Sequence, residues 1–128
     1  MLVGTATGIG SGQANTAALV SKMGTTAYTS SHNMTITTTE EYAARLCDIY
    51  EIGGYWYWFR DWFLPSKDEL DLMYDNLKEQ GLGGFSNHDY WSSSEYNAFY
   101  AWSQDFYNGN QGYENRYREV WVRPVRAF

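Results

Sequence analysis

From Tyr90 to Phe128 the chain interleaves tyrosines (Tyr90, Tyr96, Tyr100, Tyr107, Tyr113, Tyr117) with asparagine, serine, glycine and isolated charges. Such a stretch is a poor core, because each buried amide or hydroxyl needs a hydrogen-bond partner. It is a good contact surface: tyrosine offers broad amphipathic area for few rotatable bonds, while Asn, Ser and Gly add adaptable hydrogen bonding. The pattern points to a ligand-binding module rather than an enzyme. The 128 residues suit one domain, 1–128, able to form a hydrophobic core without metal or disulfide staples. Aromatics make up 19% of the chain while mean hydropathy is −0.54. Much aromatic surface must then be partly exposed, or stacked with its polar tips satisfied.

A net charge of −6 with scattered basic residues argues against a nucleic-acid partner. No apolar run is long enough for a membrane span, so membrane insertion is not expected, and the Met1-Leu2-Val3 start lacks the pattern of a signal peptide. Cys47 is the single cysteine, which excludes an internal disulfide.

Gly4 to Gly12 is Gly-rich but lacks the spacing of a phosphate-binding loop. It reads as a turn-rich loop leading into a short helix at Asn15–Val20, with Asn15 as N-cap. Thr25 to Thr39 reads as a loop carrying His32. Thr38 and Glu41 stand at capping-box spacing for a second helix, with Tyr42, Leu46, Ile49 and Tyr50 on its apolar face and Gly53-Gly54 at its end. Cys47 falls on the buried side as a small core residue. The aromatic run Tyr55 to Leu64 is either a buried strand or an exposed recognition hairpin.

Pro65-Ser66-Lys67-Asp68-Glu69-Leu70 is the clearest helix start, Ser66 capping and Glu69 closing the box. Leu70, Met73, Tyr74 and Leu77 form its apolar stripe, Gly81 stops it, and Asp68, Asp71, Asp75 and Glu79 form its solvated face. Beyond Gly81, strands and long loops are expected, with alternation over Phe99 to Phe106 and a terminal strand at Val120–Arg123, ended by Pro124. Helices before strands indicate an α+β fold.

Several segments resemble the variable proteins of diversity-generating retroelements: Asp61 to Leu70 (DWFLPSKDEL), Gly83 to Ser86, Tyr90 to Glu95 (YWSSSE), Ala101-Trp102 and Val122 to Phe128 (VRPVRAF). Upstream, Gly10, Gly12, Asn15, Thr16 and Tyr42-Ala43-Ala44 fit the same pattern, so the similarity covers nearly the whole chain. The resemblance implies a C-type lectin-like fold, two to three helices packed on an antiparallel sheet, with long irregular carboxy-terminal loops and a variable region at about 90–128. It also implies adenine-directed exchange, in which asparagine codons yield Tyr, Phe, Ser, Asp, Gly, His or Arg but not Trp, Gln, Glu, Lys or Met.

By that rule Tyr96, Asn97, Phe99, Tyr100, Ser103, Asp105, Tyr107, Asn108, Asn110, Gly112, Tyr113, Asn115, Tyr117 and Arg118 are candidate ligand-binding positions. Trp91, Glu95, Trp102, Gln104, Gln111 and Trp121 are framework, whereas Glu114 and Glu119 break the pattern. Trp91, Trp102 and Phe106 should anchor the surface from below, and the Ser92-Ser93-Ser94 hydroxyls should bond irregular backbone. The expected partner is a protein or another surface ligand, in keeping with a receptor or adhesin at a cell or virion surface. No cofactor, metal or catalytic residue is expected. Calcium-binding lectin motifs are absent, one cysteine cannot assemble formylglycine-generating chemistry, and His32 and His88 lack a recognisable triad partner. The alternatives are a calcium-independent glycan-binding module and a structural subunit of a tail or fimbrial fibre.

Overall fold

The computed structural model describes residues 3–23, 43–53, 58–116 and 118–127. In chain order they form α1 (Gly12–Met23), α2 (Ala43–Asp48), β1 (Ile52–Gly53), β2 (Trp58–Phe59) and α3 (Lys67–Met73) with a π-helical turn (Tyr74–Lys78). Then follow β3 (Asp89–Glu95), β4 (Tyr100–Asp105) and β5 (Gln111–Asn115), an antiparallel sheet of order β3-β4-β5. Helices ahead of this sheet give the expected α+β class, consistent with a C-type lectin-like fold. No helix among the described residues is long and apolar enough to cross a membrane.

The capping box opens α3 as its sequence dictates: Ser66 Oγ accepts from Glu69 N, and Glu69 Oε1 accepts from Ser66 N at 2.8 Å. The same carboxylate reaches further. Oε1 also accepts from Gly12 N and Oε2 from Gly10 N, both at 3.0 Å, so one glutamate satisfies backbone donors at the starts of two helices. Ser66 Oγ donates to Gly8 O at 2.9 Å, seating the Gly-rich turns on α3. Gly12 is required for that approach, since a Cβ there would lie 2.9 Å from both Leu64 O and Ser66 N.

Asn15 is not the N-cap. The helix begins at Gly12, and Asn15 N already donates to Ser11 O at 2.9 Å. The buried Asn15 amide instead grips the backbone of Ala6, accepting from its N–H at 2.9 Å and donating to its carbonyl at 2.7 Å. A carboxamide carries the same donor–acceptor pair as a peptide unit, so a buried Asn can stand in for a neighbouring strand. Thr16 acts alongside it: its hydroxyl accepts from Leu64 N at 2.9 Å and donates to Gly12 O.

The apolar face expected for the second helix is turned. Leu46, Ile49 and Tyr50 are exposed, and the residues facing the core are Ala44 and Cys47. α2 packs on α1 and β3, where small side chains allow close approach. This helix ends at Asp48; Gly53 lies in β1, paired with Trp58. The capping pair Thr38 and Glu41, Tyr42, the loop at 25–39 with His32, and Gly54 with Tyr55–Tyr57 lie outside the described residues. Of the rest of the aromatic run, Trp58–Phe59 is a two-residue strand and Phe63–Leu64 is buried, so neither expected alternative describes it whole.

Strand alternation distributes the two cores. Tyr90 and Trp91 are adjacent in β3 and point to opposite sides of the sheet. Tyr90 joins Leu70 and Phe106 on the α3 side, with Met73, Tyr74 and Phe85 around them. Trp91 joins Leu19, Ala44, Cys47 and Leu64 on the α1–α2 side. Asp71, assigned to the solvated face of α3, instead accepts from Gln104 Nε2 at 2.9 Å. The expected strand at Val120–Arg123 is reduced to isolated bridges, Trp121 with Tyr90 and Val125 with Phe63, because Pro124 between them has no N–H to extend a ladder.

Substituting Gly12→Ala should lower unfolding free energy by about 1–3 kcal/mol, the usual cost of forcing a methyl against fixed backbone. Denaturant unfolding checks this, and unchanged stability would show that the helix starts are not so tightly seated.

Candidate functional site

The candidate surface begins where β3 loses register. Trp91 pairs with Ser103 but Glu95 pairs with Ala101, so Ser92, Ser93 and Ser94 form an irregular bulge. Their hydroxyls take over from the ladder. Ser92 Oγ donates to Trp102 O at 2.8 Å and accepts from Ser94 N at 3.1 Å. Ser94 Oγ donates to Ala6 O at 2.7 Å and accepts from Lys67 N at 2.9 Å. Ser93 Oγ accepts from Asn15 Nδ2 at 3.2 Å while its N–H donates to Pro65 O at 2.8 Å. The expected backbone-bonding role is met by the buried Ser92 and Ser94 hydroxyls, whereas the Ser93 hydroxyl meets the Asn15 side chain instead.

Glu95 closes the bulge. Its carboxylate accepts from the N–H groups of Val3 (2.8 Å), Gly4 (2.7 Å) and Thr5 (3.1 Å) and pairs with Arg116 at 2.7 Å. Arg116 also donates to Asn97 O at 2.6 Å, so one buried ion pair joins the amino-terminal segment, the turn at 96–99 and the end of β5. Burial raises the Glu95 pKa, but donation from Val3 N–H, Arg116 and Gly4 N–H outweighs it and holds the group below the ordinary glutamate range.

Beyond this clasp four aromatic rings gather on the α3 side of the sheet. Tyr96 stacks on Tyr113, centroids 4.0 Å apart and planes within 7°. Trp102, the register partner of Tyr113, stands edge-on to both rings, and Tyr100 meets Tyr113 edge-on at 5.4 Å. Lys67 Nζ lies 4.7 Å above the Trp102 ring. Tyr96 and Tyr113 remain about half exposed. Residue type and spacing in the sequence gave no signal for the part Lys67 plays here; only the approach of α3 to β4 reveals it.

The remaining candidates are placed unequally. Phe99, Asn108, Asn110 and Arg118 are exposed, Arg118 paired with Glu114 at 3.5 Å, and Tyr107 is 72% exposed at the tip of the β4–β5 turn. Asn97, Asp105 and Asn108 build turns through their side chains: Asn97 Oδ1 accepts from Phe99 N and Tyr100 N, Asp105 Oδ1 from Tyr107 N, and Asn108 Oδ1 from Asn110 N. Gly112 is half-buried with open space where a side chain would start. Asn115 is half-buried, and its Oδ1 has no partner among the described residues. Ser103 departs from expectation: it is buried on the α1–α2 side opposite Trp91, because its place in β4 turns it inward. Tyr117 lies outside the described residues.

Among the anchors, Trp91 and Phe106 are buried and Trp102 is half-buried beneath the tyrosines. Trp121, assigned to the framework without an anchoring role, is 52% exposed. Its main chain does the holding, Trp91 N donating to Trp121 O at 2.9 Å and Trp121 N to Asp89 O at 3.0 Å, while its ring stacks flat on His88. Gln104 Nε2 donates to Asp71 and Gly109 O, and Gln111 Nε2 to Lys67 O, fastening β4 and β5 to α3. Burial, with Asp48 beside it, pushes the Cys47 thiol up to about 12, which keeps it protonated and a poor nucleophile at neutral pH. Among the described residues no group of three or more His, Cys, Asp and Glu side chains is placed to hold a metal ion.

A family model described as the Lcl C-terminal domain matches residues 13–126. No curated protein and no solved structure matches the chain.

Because the folded-state pKa of Glu95 is depressed, the stability its carboxylate contributes is present above the unfolded value of about 4.3 and lost as pH falls through the folded value. Glu95→Gln should therefore be less stable than the parent at neutral pH, with the gap closing on acidification through that window. Denaturant unfolding at a series of pH values measures it, and a gap independent of pH would refute the assignment.

Proposed function

Proceeding from a chain that belongs to the family of the C-terminal domain of Lcl, a diversity-generating retroelement target protein, we propose that this domain is a non-enzymatic receptor or adhesin-like binder of a protein or another surface molecule. Its contact surface is the Tyr96–Tyr100–Trp102–Tyr113 cluster with Phe99, Tyr107 and the intervening turns. The observation that carries the reading is the Tyr96–Tyr113 stack, held about half exposed over Trp102 by a frame whose hydrogen bonds among the described residues use neither tyrosine's side chain. Rings immobilised before contact lose little conformational freedom on binding, which favours affinity. Clustered tyrosine and tryptophan are also the side chains that most often dominate binding energy. The protonated, buried Cys47 supports a binding role over thiol chemistry.

Division of labour supports adenine-directed exchange of this surface. Glu95, Gln104 and Gln111, which asparagine codons cannot yield, carry bonds that hold the frame together. Tyr96, Phe99, Tyr107 and Tyr113, which they can yield, stand exposed. A new side chain at those positions meets solvent or ligand rather than the core.

An array of purified extracellular proteins and glycans, probed with the intact chain, should yield a binder whose retention is lost in the double variant Tyr96→Ala, Tyr113→Ala. The variant should stay folded, its unfolding free energy falling by no more than the few kcal/mol that the ring contacts of Tyr96 and Tyr113 supply at about 0.5–1.5 kcal/mol per pair. Undiminished binding by the double variant, or its global unfolding, would overturn the reading.

A further inference from the structure

The outer edge of β5 carries backbone groups that nothing in the described structure uses. Asp105 N donates to Asn110 O at 2.8 Å and Arg116 N to Phe99 O at 3.2 Å. With the register Ser103↔Gly112 and Ala101↔Glu114, these bonds turn the peptide groups of Gly112 and Glu114 toward β4. Gln111 and Tyr113 therefore direct their N–H and C=O groups away from the sheet. Among the described residues none of these four groups has a hydrogen-bond partner. The carboxy-terminal segment does not shield them, because it runs beside β3 at the opposite edge, where Trp121 bonds Asp89 and Trp91.

Exposed edges are ordinarily blunted by lysine, proline, bulges or inward charges. The sequence of β5, Gln-Gly-Tyr-Glu-Asn, has no lysine or proline, and its pairing with β4 is unbroken from Gln111 to Asn115. Gly112 leaves open space over the strand's face on the side that Ser103 occupies. An alternating donor–acceptor row at strand spacing is complementary to one kind of partner, an extended polypeptide backbone.

We propose that the ligand contributes an extended peptide segment that pairs with Gln111 and Tyr113 and joins the sheet as a strand beyond β5. This rests on the surface reading above and specifies the partner as polypeptide. It also explains how a surface of exchangeable side chains keeps affinity: the main-chain groups stay when Tyr113 or Asn115 is exchanged for any residue but proline. Side chains of the docked strand on the α3 side would meet Tyr113 and the ring cluster, which supplies the selectivity.

The test selects binders on the intact chain from a displayed library of random linear peptides of about eight residues, enough at roughly 3.3 Å per residue to overhang β5. Amide hydrogen exchange at Gln111 and Tyr113 is then followed with and without the selected peptide. Protection of both amides by at least about tenfold is expected. Tyr113→Ala loses the ring but keeps the outward donor, so Tyr113→Pro, which removes that donor as well and no bond to β4, should bind at least about tenfold more weakly than Tyr113→Ala. Peptides lost on Tyr96→Ala without protecting those amides overturn edge pairing and leave the surface reading standing. Peptides that neither protect the amides nor respond to Tyr96→Ala overturn both. Failure to select any peptide overturns the polypeptide assignment, as does protection that arises by self-association without peptide, which would make a second copy the occupant.

Discussion

Buried hydroxyls that replace a broken β ladder hold this fold together. Where β3 leaves register with β4, peptide groups are stranded in the interior, and a stranded buried donor or acceptor costs about 1–3 kcal/mol. Ser92 and Ser94 take up Trp102 O, Ala6 O, Lys67 N and Ser94 N, and the Ser93 peptide reaches Pro65. Through these bonds one irregular stretch binds β4, the amino-terminal segment and the start of α3. Asn15 and Thr16 do the equivalent from α1, gripping Ala6 and Leu64. An apolar side chain at any of these sites would leave peptide groups unpaired, and a larger one would also overfill the space.

Two carboxylates extend that network to the surface. Glu69 gathers the starts of α1 and α3, and Glu95 gathers the amino-terminal segment and, through Arg116, the turn at 96–99. Both accept from main-chain donors, whose positions are indifferent to neighbouring side-chain identity. A platform built in this way can tolerate change above it. The tolerance is uneven, because Asn97, Asp105 and Asn108 shape turns with their own side chains. Exchange there alters loop shape, whereas exchange at Tyr107 or Phe99 alters what the loop presents.

The aromatic cluster shows how rigidity and exposure coexist. Tyr96, Tyr113 and Trp102 restrain one another by stacked and edge-on contacts, and Lys67 covers part of the indole, so the rings are ordered without being buried. The frame beneath is fastened separately, by Gln104 and Gln111 to α3. On the proposed reading, contact and stability draw on largely different side chains within the same strands, with Trp102 serving both.

Local rules sufficed where the cause is local. The Ser66–Glu69 box, the stop before Gly81, the burial of Cys47 and the outward tyrosines follow from neighbours a few residues away or from composition. The α+β order follows from the succession of helical and strand patterns. Long-range contacts settled the rest: Asn15 became a buried peptide mimic because Ala6 passes beside it, and α2 turned its small residues inward because α1 lies close. Ser103 was carried inside by its register opposite Trp91, and Trp121 was left outside because its backbone alone is needed at β3. A side chain's chemistry is written in the chain itself, but which way it faces depends on the segment packed beside it, and here those segments come from distant parts of the sequence.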